Sequence, residues 1–217
     1  VGVYSRNNLP SSVANLISKP LVSTDKTGRP KPELAEGWQV NNNATVYTFN
    51  LRKELYWSDG SRVKSSDIKF NLPDVEVSYP NELTIEFKLA DSFTPFPSLL
   101  TAPVFKGDSL LGVGNFKVED EERNHGLIKK LLLSPRDKGG LPVVSIRFYP
   151  DERTAKTAFE LGEVESLIGF SDVTGLQGQP SVEFNKITGF NKLVAIFYNT
   201  KDPVLSDKNM RRALSSA

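Results

Sequence analysis

An α/β fold carrying an antiparallel, hairpin-rich subdomain is what the sequence predicts, and three observations predict it. Residues 38–51 and 75–89 alternate apolar and polar positions on both arms of a polar turn, the pattern of half-buried hairpins. A strand, a well-started helix and a further strand pattern follow between residues 143 and 168, an order that suits a crossover unit with parallel strands in a covered sheet. The 217 residues are 38% hydrophobic and 24% charged, enough for one large domain or two small ones around a real core. The expected division assigns residues 1–32 and 134–217 to the α/β part and residues 33–133 to the hairpin subdomain.

In chain order, Val1 to Tyr4 reads as a short strand. The run Leu9 to Ile17 then sets Val13, Leu16 and Ile17 on one helical face. The first hairpin, Trp38 to Leu51, turns at Asn41-Asn-Asn-Ala44 and puts Tyr47, Phe49 and Leu51 on its buried face. Ser65 to Phe70 has a Ser at its start and an acid in its first turn, which predicts one or two helical turns capped by Ser65. The second hairpin, Val75 to Leu89, turns at Pro80-Asn-Glu82 and aligns Leu83, Ile85, Phe87 and Leu89. A third, Asn115 to Val118 with Leu127 to Leu133, is expected to enclose a charged tip from Glu119 to Gly126. Val143 to Tyr149 is the next strand, Pro150 to Leu161 a helix stopped by Gly162, and Val164 to Ile168 another strand. Leu193 to Tyr198 is apolar enough for a buried strand, and Asp207 to Ala217 is an amphipathic helix with Met210, Ala213, Leu214 and Ala217 on one face.

Composition removes several classes of function. Twenty-seven Lys and Arg against 26 Asp and Glu leave a net charge of +1, with no basic block interleaved with aromatics of the kind a nucleic-acid groove needs. Nucleic acid is therefore not an expected partner. The absence of Cys removes disulfides, thiolate nucleophiles and thiolate metal sites together. No apolar run approaches the roughly 18 residues of a membrane span, and no charged leader precedes an apolar stretch at the N-terminus.

A series of short segments resembles one family. Pro32-Glu-Leu-Ala-Glu-Gly-Trp38, Tyr47-Thr-Phe-Asn-Leu-Arg52 and Trp57-Ser-Asp-Gly60 are similar to its "PxLAxxW", "YTFxLR" and "xxDG". Ser65 to Phe70, Leu83 to Leu89 and Gly112-Val-Gly-Asn-Phe116 follow where the family has a helix start, a strand and "GTGPY". Tyr149 to Ala155 with Leu161 to Glu165, then Asn199-Thr and Met210 to Ser215, complete the order. The family is the extracellular solute-binding proteins, family 5, the oligopeptide-, dipeptide- and nickel-binding proteins of ABC transporters, and the resemblance covers roughly residues 20–217. It implies a type II periplasmic-binding-protein-like lobe with the hairpin subdomain inserted, and a second lobe expected after residue 217. It also implies a peptide or small-molecule solute as ligand, an ABC transporter permease as partner, an extracytoplasmic location, and membrane association only through an anchor outside these residues. The stretch between Phe70 and Val75 departs from the family, which has a longer, partly helical segment where this chain has Asn71-Leu-Pro-Asp74. That shortening keeps open a different reading, a cell-envelope interaction or structural module with the same fold and no open cleft.

For chemistry the residues offer little. His125 is the only His and sits in a hairpin tip, so neither a Ser-His-Asp nor a Cys-His arrangement has obvious partners. Glu119 to Glu122 lack the Gly and alternating ligands of a calcium loop, and no metal or cofactor is expected. Gly112-Val-Gly114 lacks the Lys-Ser/Thr of a phosphate loop and reads as a turn joining subdomains. Trp38, Trp57, Tyr47 and Phe49 read as hairpin core. The candidate ligand contacts are the polar residues after the first strand, Tyr4, Ser5, Asn7 and Asn8, which could hydrogen-bond an extended peptide beside an apolar wall. By analogy with the family's cleft, Gly114, Asn115, Tyr198 and Asn199 join them. The reading is a binding protein and not an enzyme.

Overall fold

The computed structural model describes residues 1–137, 139–170, 173–176, 182–185 and 198–216, and these fall into two units, Val1–Asp172 and Val173–Ala217. The first unit holds two apolar clusters, each built on an antiparallel sheet.

The larger cluster is the two-hairpin sheet. Strands β3 (Ala35–Val40), β4 (Val46–Leu51), β5 (Val75–Asn81) and β6 (Thr84–Leu89) lie in the order β3-β4-β6-β5. Beside them β1 (Val22–Thr24) pairs with β2 (Pro30–Pro32). The register sets Tyr47 opposite Phe87 and Phe49 opposite Ile85, so the alternating residues of two strands share one face. Phe87 meets Phe49, Phe70 and Phe96 at ring separations of 5.6, 5.0 and 5.2 Å, and Tyr47 meets Phe96 at 5.0 Å. Such aromatic pairs add about 0.5–1.5 kcal/mol each beyond their buried area. Trp57 is wholly buried, and its indole N–H donates to Asp67 Oδ2 at 3.0 Å. Trp38 is only partly buried and leans on Phe49 at 5.6 Å.

The segment around Ser65 is a single 3-10 turn, Ser65–Asp67, preceded by Lys64 as its N-cap. The expected Ser65 cap is displaced: Ser65 is buried and its hydroxyl donates to Asn81 O at 2.6 Å, while Asp67 Oδ2 accepts from Lys64 N at 3.0 Å. The carboxylate is the stronger acceptor and takes the capping role.

The smaller cluster packs α1 (Ser11–Ile17) on the sheet β7 (Phe116–Asn124), β8 (Leu127–Pro135) and β9 (Val144–Arg147), through Val13, Ile17, Phe116, Ile128, Leu131, Leu133 and Phe148. The charged stretch expected as a tip is strand. Only His125 and Gly126 turn the chain, both at positive φ (49° and 77°), as a two-residue hairpin turn requires. The carboxylates are held along β7: Glu119 by Lys117 and Ser134, Glu121 by Arg6 and Arg123, Glu122 by Lys130. Glu122 opposes Lys130 but Arg123 opposes Ile128, so Lys129 is an extra residue on β8. This bulge changes the parity of the strand and lets Ile128 and Leu131 both face the core.

Three other expectations change. Val1 to Tyr4 is no strand but a single bridge, Tyr4 to Ile128. β9 pairs antiparallel with β8, and no parallel pair occurs among the described residues. Val164 to Ile168 forms no strand. The helix between is as expected: α2 (Glu152–Glu160) is capped by Asp151, whose carboxylate accepts from Thr154 N at 2.8 Å, and it ends before Gly162 at φ 74°.

In the second unit, α3 (Lys208–Ser216) matches the expected amphipathic helix. It follows turns in which Asp202 Oδ1 accepts from Val204 N and Leu205 N. The strand expected at Leu193 to Tyr198 lies, up to residue 197, outside the described residues.

Candidate ligand-binding surface

The sequence-derived candidates of the first unit gather at the two ends of α1. Tyr4, Ser5, Asn7 and Asn8 precede it, on a loop seated against the three-stranded sheet. Tyr4 packs edge-on against Phe148 at 5.1 Å and its hydroxyl donates to Val1 O at 2.5 Å. Ser5 Oγ donates to Asn8 Oδ1 at 2.9 Å, and Ser5 N donates to the same oxygen. Arg6 anchors the loop from outside, donating to Glu121 at 3.0 Å. Asn7 and Asn8 are exposed. The loop therefore presents amide groups on a held backbone, which is what a solute's peptide groups would need.

Gly114 and Asn115 lie at the other end of α1, a helix length of about 10 Å away. Gly114 N donates to Ile17 O at 2.8 Å, its carbonyl accepts from Arg136 Nη1 at 3.4 Å, and the residue is buried. A Cβ there would stand 2.4 Å from Leu16 O, and one at Gly112 would stand 2.2 Å from Ile17 O. Both glycines are thus required by close approach of two backbones. Asn115 is exposed, with its carbonyl taken by Arg136 N at 2.8 Å.

Three features here have no counterpart among the sequence candidates. Ser18 is fully buried; its hydroxyl donates to Val104 O and accepts from Val113 N at 3.3 Å. It thereby ties the C-terminal end of α1 to two parts of the following chain. Arg136 donates to Tyr56 O at 3.0 Å and Trp57 O at 3.3 Å as well as to Gly114 O, linking the two apolar clusters. A depression of about 340 Å³ opens between Asn15, Ser18, Lys19, Ser23, Thr24 and Thr101. The density of Ser, Thr and Asn from 15 to 24 is a visible signal for it, but Thr101 joins only through the fold.

In the second unit, Tyr198 is half-buried and its hydroxyl lies 3.0 Å from Ser215 Oγ on α3, beside a depression of about 650 Å³ that Lys208 also lines. Asn199 is exposed, and its side chain accepts from Lys201 N at 3.2 Å. Among the described residues no group of three His, Asp or Glu is placed to hold a metal ion, and no helix is long and apolar enough to cross a membrane.

Several known proteins are similar to this chain. Residues 29–75 match the family model described as bacterial extracellular solute-binding proteins, family 5 Middle. The periplasmic oligopeptide-binding protein OppA of Escherichia coli (strain K12) is 38% identical over 61 residues, covering 28% of this chain and 11% of that protein. The dipeptide-binding protein DppE of Bacillus subtilis (strain 168) is 20% identical over 262 residues, covering 97% of this chain and 48% of that protein. That alignment is longer than the 217 residues of this chain, so DppE carries residues inside the matched stretch that have no counterpart here. Among solved structures, the periplasmic binding protein DppA from Helicobacter pylori in complex with peptide STSA superposes with a TM-score of 0.54 at 20% identity, over 75% of this chain and 44% of that one. The fold is that of type II periplasmic binding proteins, and the chain spans less than half the length of each of these proteins.

Proposed function

We propose that this chain, a relative of the family 5 solute-binding proteins in their N-terminal part, supplies one lobe of the solute-binding component of an ABC importer. The solute is a peptide or similar small molecule, closed between this lobe and a second one and handed to a transporter permease outside the cytoplasm. The observation that carries the reading is the alignment to DppE, a dipeptide-binding protein, over 97% of the chain. The name of OppA and the peptide bound to DppA point to the same class of ligand.

On this reading Tyr4, Ser5, Asn7 and Asn8 meet the solute from the loop before α1, and Asn115 stands at the other end of the helix with Gly114 as its spacer; Tyr198 and Asn199 are candidate solute contacts of the second unit, taken by itself. The work is hydrogen bonding and burial, with no bond made or broken. Closure of two lobes excludes water from those hydrogen bonds, and periplasmic binding proteins are a general example of such hinge closure. A single lobe leaves the solute largely hydrated, so the chain by itself should bind at millimolar or weaker affinity and a two-lobed protein at micromolar or tighter, a gap of at least ~4 kcal/mol.

Thermal-shift scans of this chain and of the natural full-length protein against a mixed di- to pentapeptide library test the reading. Ligand at about 100 times its Kd stabilises by about 2.7 kcal/mol, so the full-length protein should show a clear shift where the chain alone shows none. A full-length protein unmoved by peptides, sugars and metal chelates would refute solute capture and favour an envelope module with a closed cleft. The short path from Phe70 to β5, with Asp74 at a positive φ of 58°, is the feature that would then deserve the explanation.

A further inference from the structure

The chain is close to neutral overall, yet one corner of the first unit carries cations without matching anions. Residues 53–63 form a small excursion after β4, closed by the bridge between Tyr56 and Arg62 and by Val63 N donating to Leu55 O at 2.9 Å. Bridge partners project to the same side, so Arg62 and Tyr56, a residue 49% exposed, lie on one face of the excursion. Arg62 Nη2 donates to Lys53 O at 2.9 Å and Arg52 Nε donates to Glu33 O at 2.8 Å. From behind, Arg136 holds the Tyr56 carbonyl at 3.0 Å. Each guanidinium is therefore positioned by a backbone carbonyl, which leaves its full positive charge and its remaining N–H groups available.

The nearby carboxylates do not neutralise this corner. Glu33 is engaged by Lys19 and Ser23, Asp59 by Lys106 and Ser61, and Asp67 by Trp57 and Lys64 N. Glu82 is held by Lys64 at 2.5 Å and feels Arg62 only at longer range. Glu54, exposed, is the other acid within the excursion, one negative charge against the three cations. Among the described residues Arg52, Lys53 and Arg62 form no ion pair, whereas Lys117, Arg123 and Lys130 along β7 and β8 each have a carboxylate partner.

We propose that Arg52, Lys53, Tyr56 and Arg62 form a docking surface for a carboxylate-rich segment of a partner protein. Arginine forks match carboxylates in two-point geometry, and carbonyl-held guanidinium groups lose little freedom on binding. Arg and Tyr are the residue types that concentrate binding energy in protein interfaces, while Lys is depleted there. Three cations are fewer than the roughly four to eight Lys and Arg of a lipid-binding cluster, and the half-exposed tyrosine beside two arginines suits a protein interface. The surface is independent of which solute the proposed lobe takes.

The test measures fluorescence anisotropy of a labelled Glu- and Asp-rich peptide with the purified chain at low ionic strength. Lys53→Gln combined with Arg62→Gln should weaken binding about tenfold or more and flatten its salt dependence. Lys129→Gln, a charge removed elsewhere, should leave it unchanged, as should Ser5→Ala with Asn8→Ala in the solute loop. Circular dichroism melts confirm that each variant is folded; if the double variant is not, Tyr56→Ser and Arg62→Gln made singly carry the test. No binding by the wild-type chain overturns the proposal, and so does equal binding by the folded variants. Tighter binding of polyphosphate or phosphatidylglycerol vesicles than of the peptide overturns the assignment to a protein partner. Binding lost through Ser5 and Asn8 instead would show the peptide occupying the solute site.

Discussion

Replacing Gly114 by Ala tests whether the segment 112–115 is set by backbone packing. The added carbon would stand 2.4 Å from Leu16 O, 2.5 Å from Ile17 C and 2.7 Å from Ile17 O. All three are main-chain atoms, so no side-chain rotation makes room. Carbon normally keeps about 3.3 Å from a carbonyl oxygen, and α1 must part from the segment by about 1 Å. That movement stretches the 2.8 Å bond from Gly114 N to Ile17 O and the Val113 N contact with Ser18. Overpacking costs about 1–3 kcal/mol and a lost hydrogen bond about 0.5–1.5 kcal/mol. The reduced freedom of the unfolded chain returns about 0.4–1 kcal/mol. The net expectation is a loss of about 2 kcal/mol, within a range of roughly 0.5–4, read from urea unfolding followed by tryptophan fluorescence. Asn115→Ala, at an exposed neighbour whose backbone bonds survive, should change stability by about 0.5 kcal/mol or less. A Gly114→Ala chain as stable as the parent would refute the close-approach argument. If it also bound solute more weakly, the glycine would belong to the ligand surface.

Two further outcomes follow from the first unit. Trp57→Ala should cost about 3–5 kcal/mol, as a wholly buried aromatic that also satisfies Asp67, and Trp38→Ala less than half as much because Trp38 is only partly buried; equal losses in denaturant unfolding would contradict the burial difference. Asp59, held well below the usual carboxylate range first by the Lys106 hydrogen bond and then by Ser61, contributes stability that is fully present above its unfolded value near 4 and disappears as pH falls toward its folded value. The difference in Tm between the parent and Asp59→Asn should accordingly be largest near neutrality and shrink below about pH 4, and a difference that grows on acidification would reverse the sign of the argument.

What was legible in the sequence is what local pattern determines. Tyr47, Phe49 and Leu51, and Ile85, Phe87 and Leu89, face the core as their alternation requires, because a period of two leaves a half-buried strand no other choice of face. The Asp151 cap and the Gly162 stop bound α2 for equally local reasons. Where the reading failed, a long-range partner decided. Val1 to Tyr4 carries strand-forming residues but finds a single bridge to Ile128. The acidic run from Glu119 reads as solvated turn, yet it is strand paired with β8, with carboxylates held by Lys117, Arg123 and Lys130 nearby and by Arg6, 115 positions from Glu121. The order of strand, helix and strand suggested a parallel crossover, yet direction in a sheet is set by which edge a strand meets, and β9 meets β8 from the antiparallel side.

The site divides along the same line. Tyr4, Ser5, Asn7 and Asn8 are candidates because a polar loop between a strand-like segment and a helix is a usual place for contacts carried on a rigid support. Gly114 was visible only as part of a motif, and its structural role differs from that of a ligand contact: with its N–H given to Ile17 and its carbonyl to Arg136, it holds Asn115 at the end of α1. Ser18 and Arg136 carry no local signal at all. A serine after a helix is ordinary, and an arginine after a strand is ordinary; each matters because its donors reach carbonyls far away in sequence, Val104 from Ser18 and Tyr56, Trp57 and Gly114 from Arg136. These bonds join the two apolar clusters through backbone acceptors, which any side chain could accompany. The geometry of the two ends of α1, where the candidate residues lie, therefore depends on Ser18 and Arg136, and truncating Arg136 should disturb the relation of the clusters more than any change to Asn7 or Asn8.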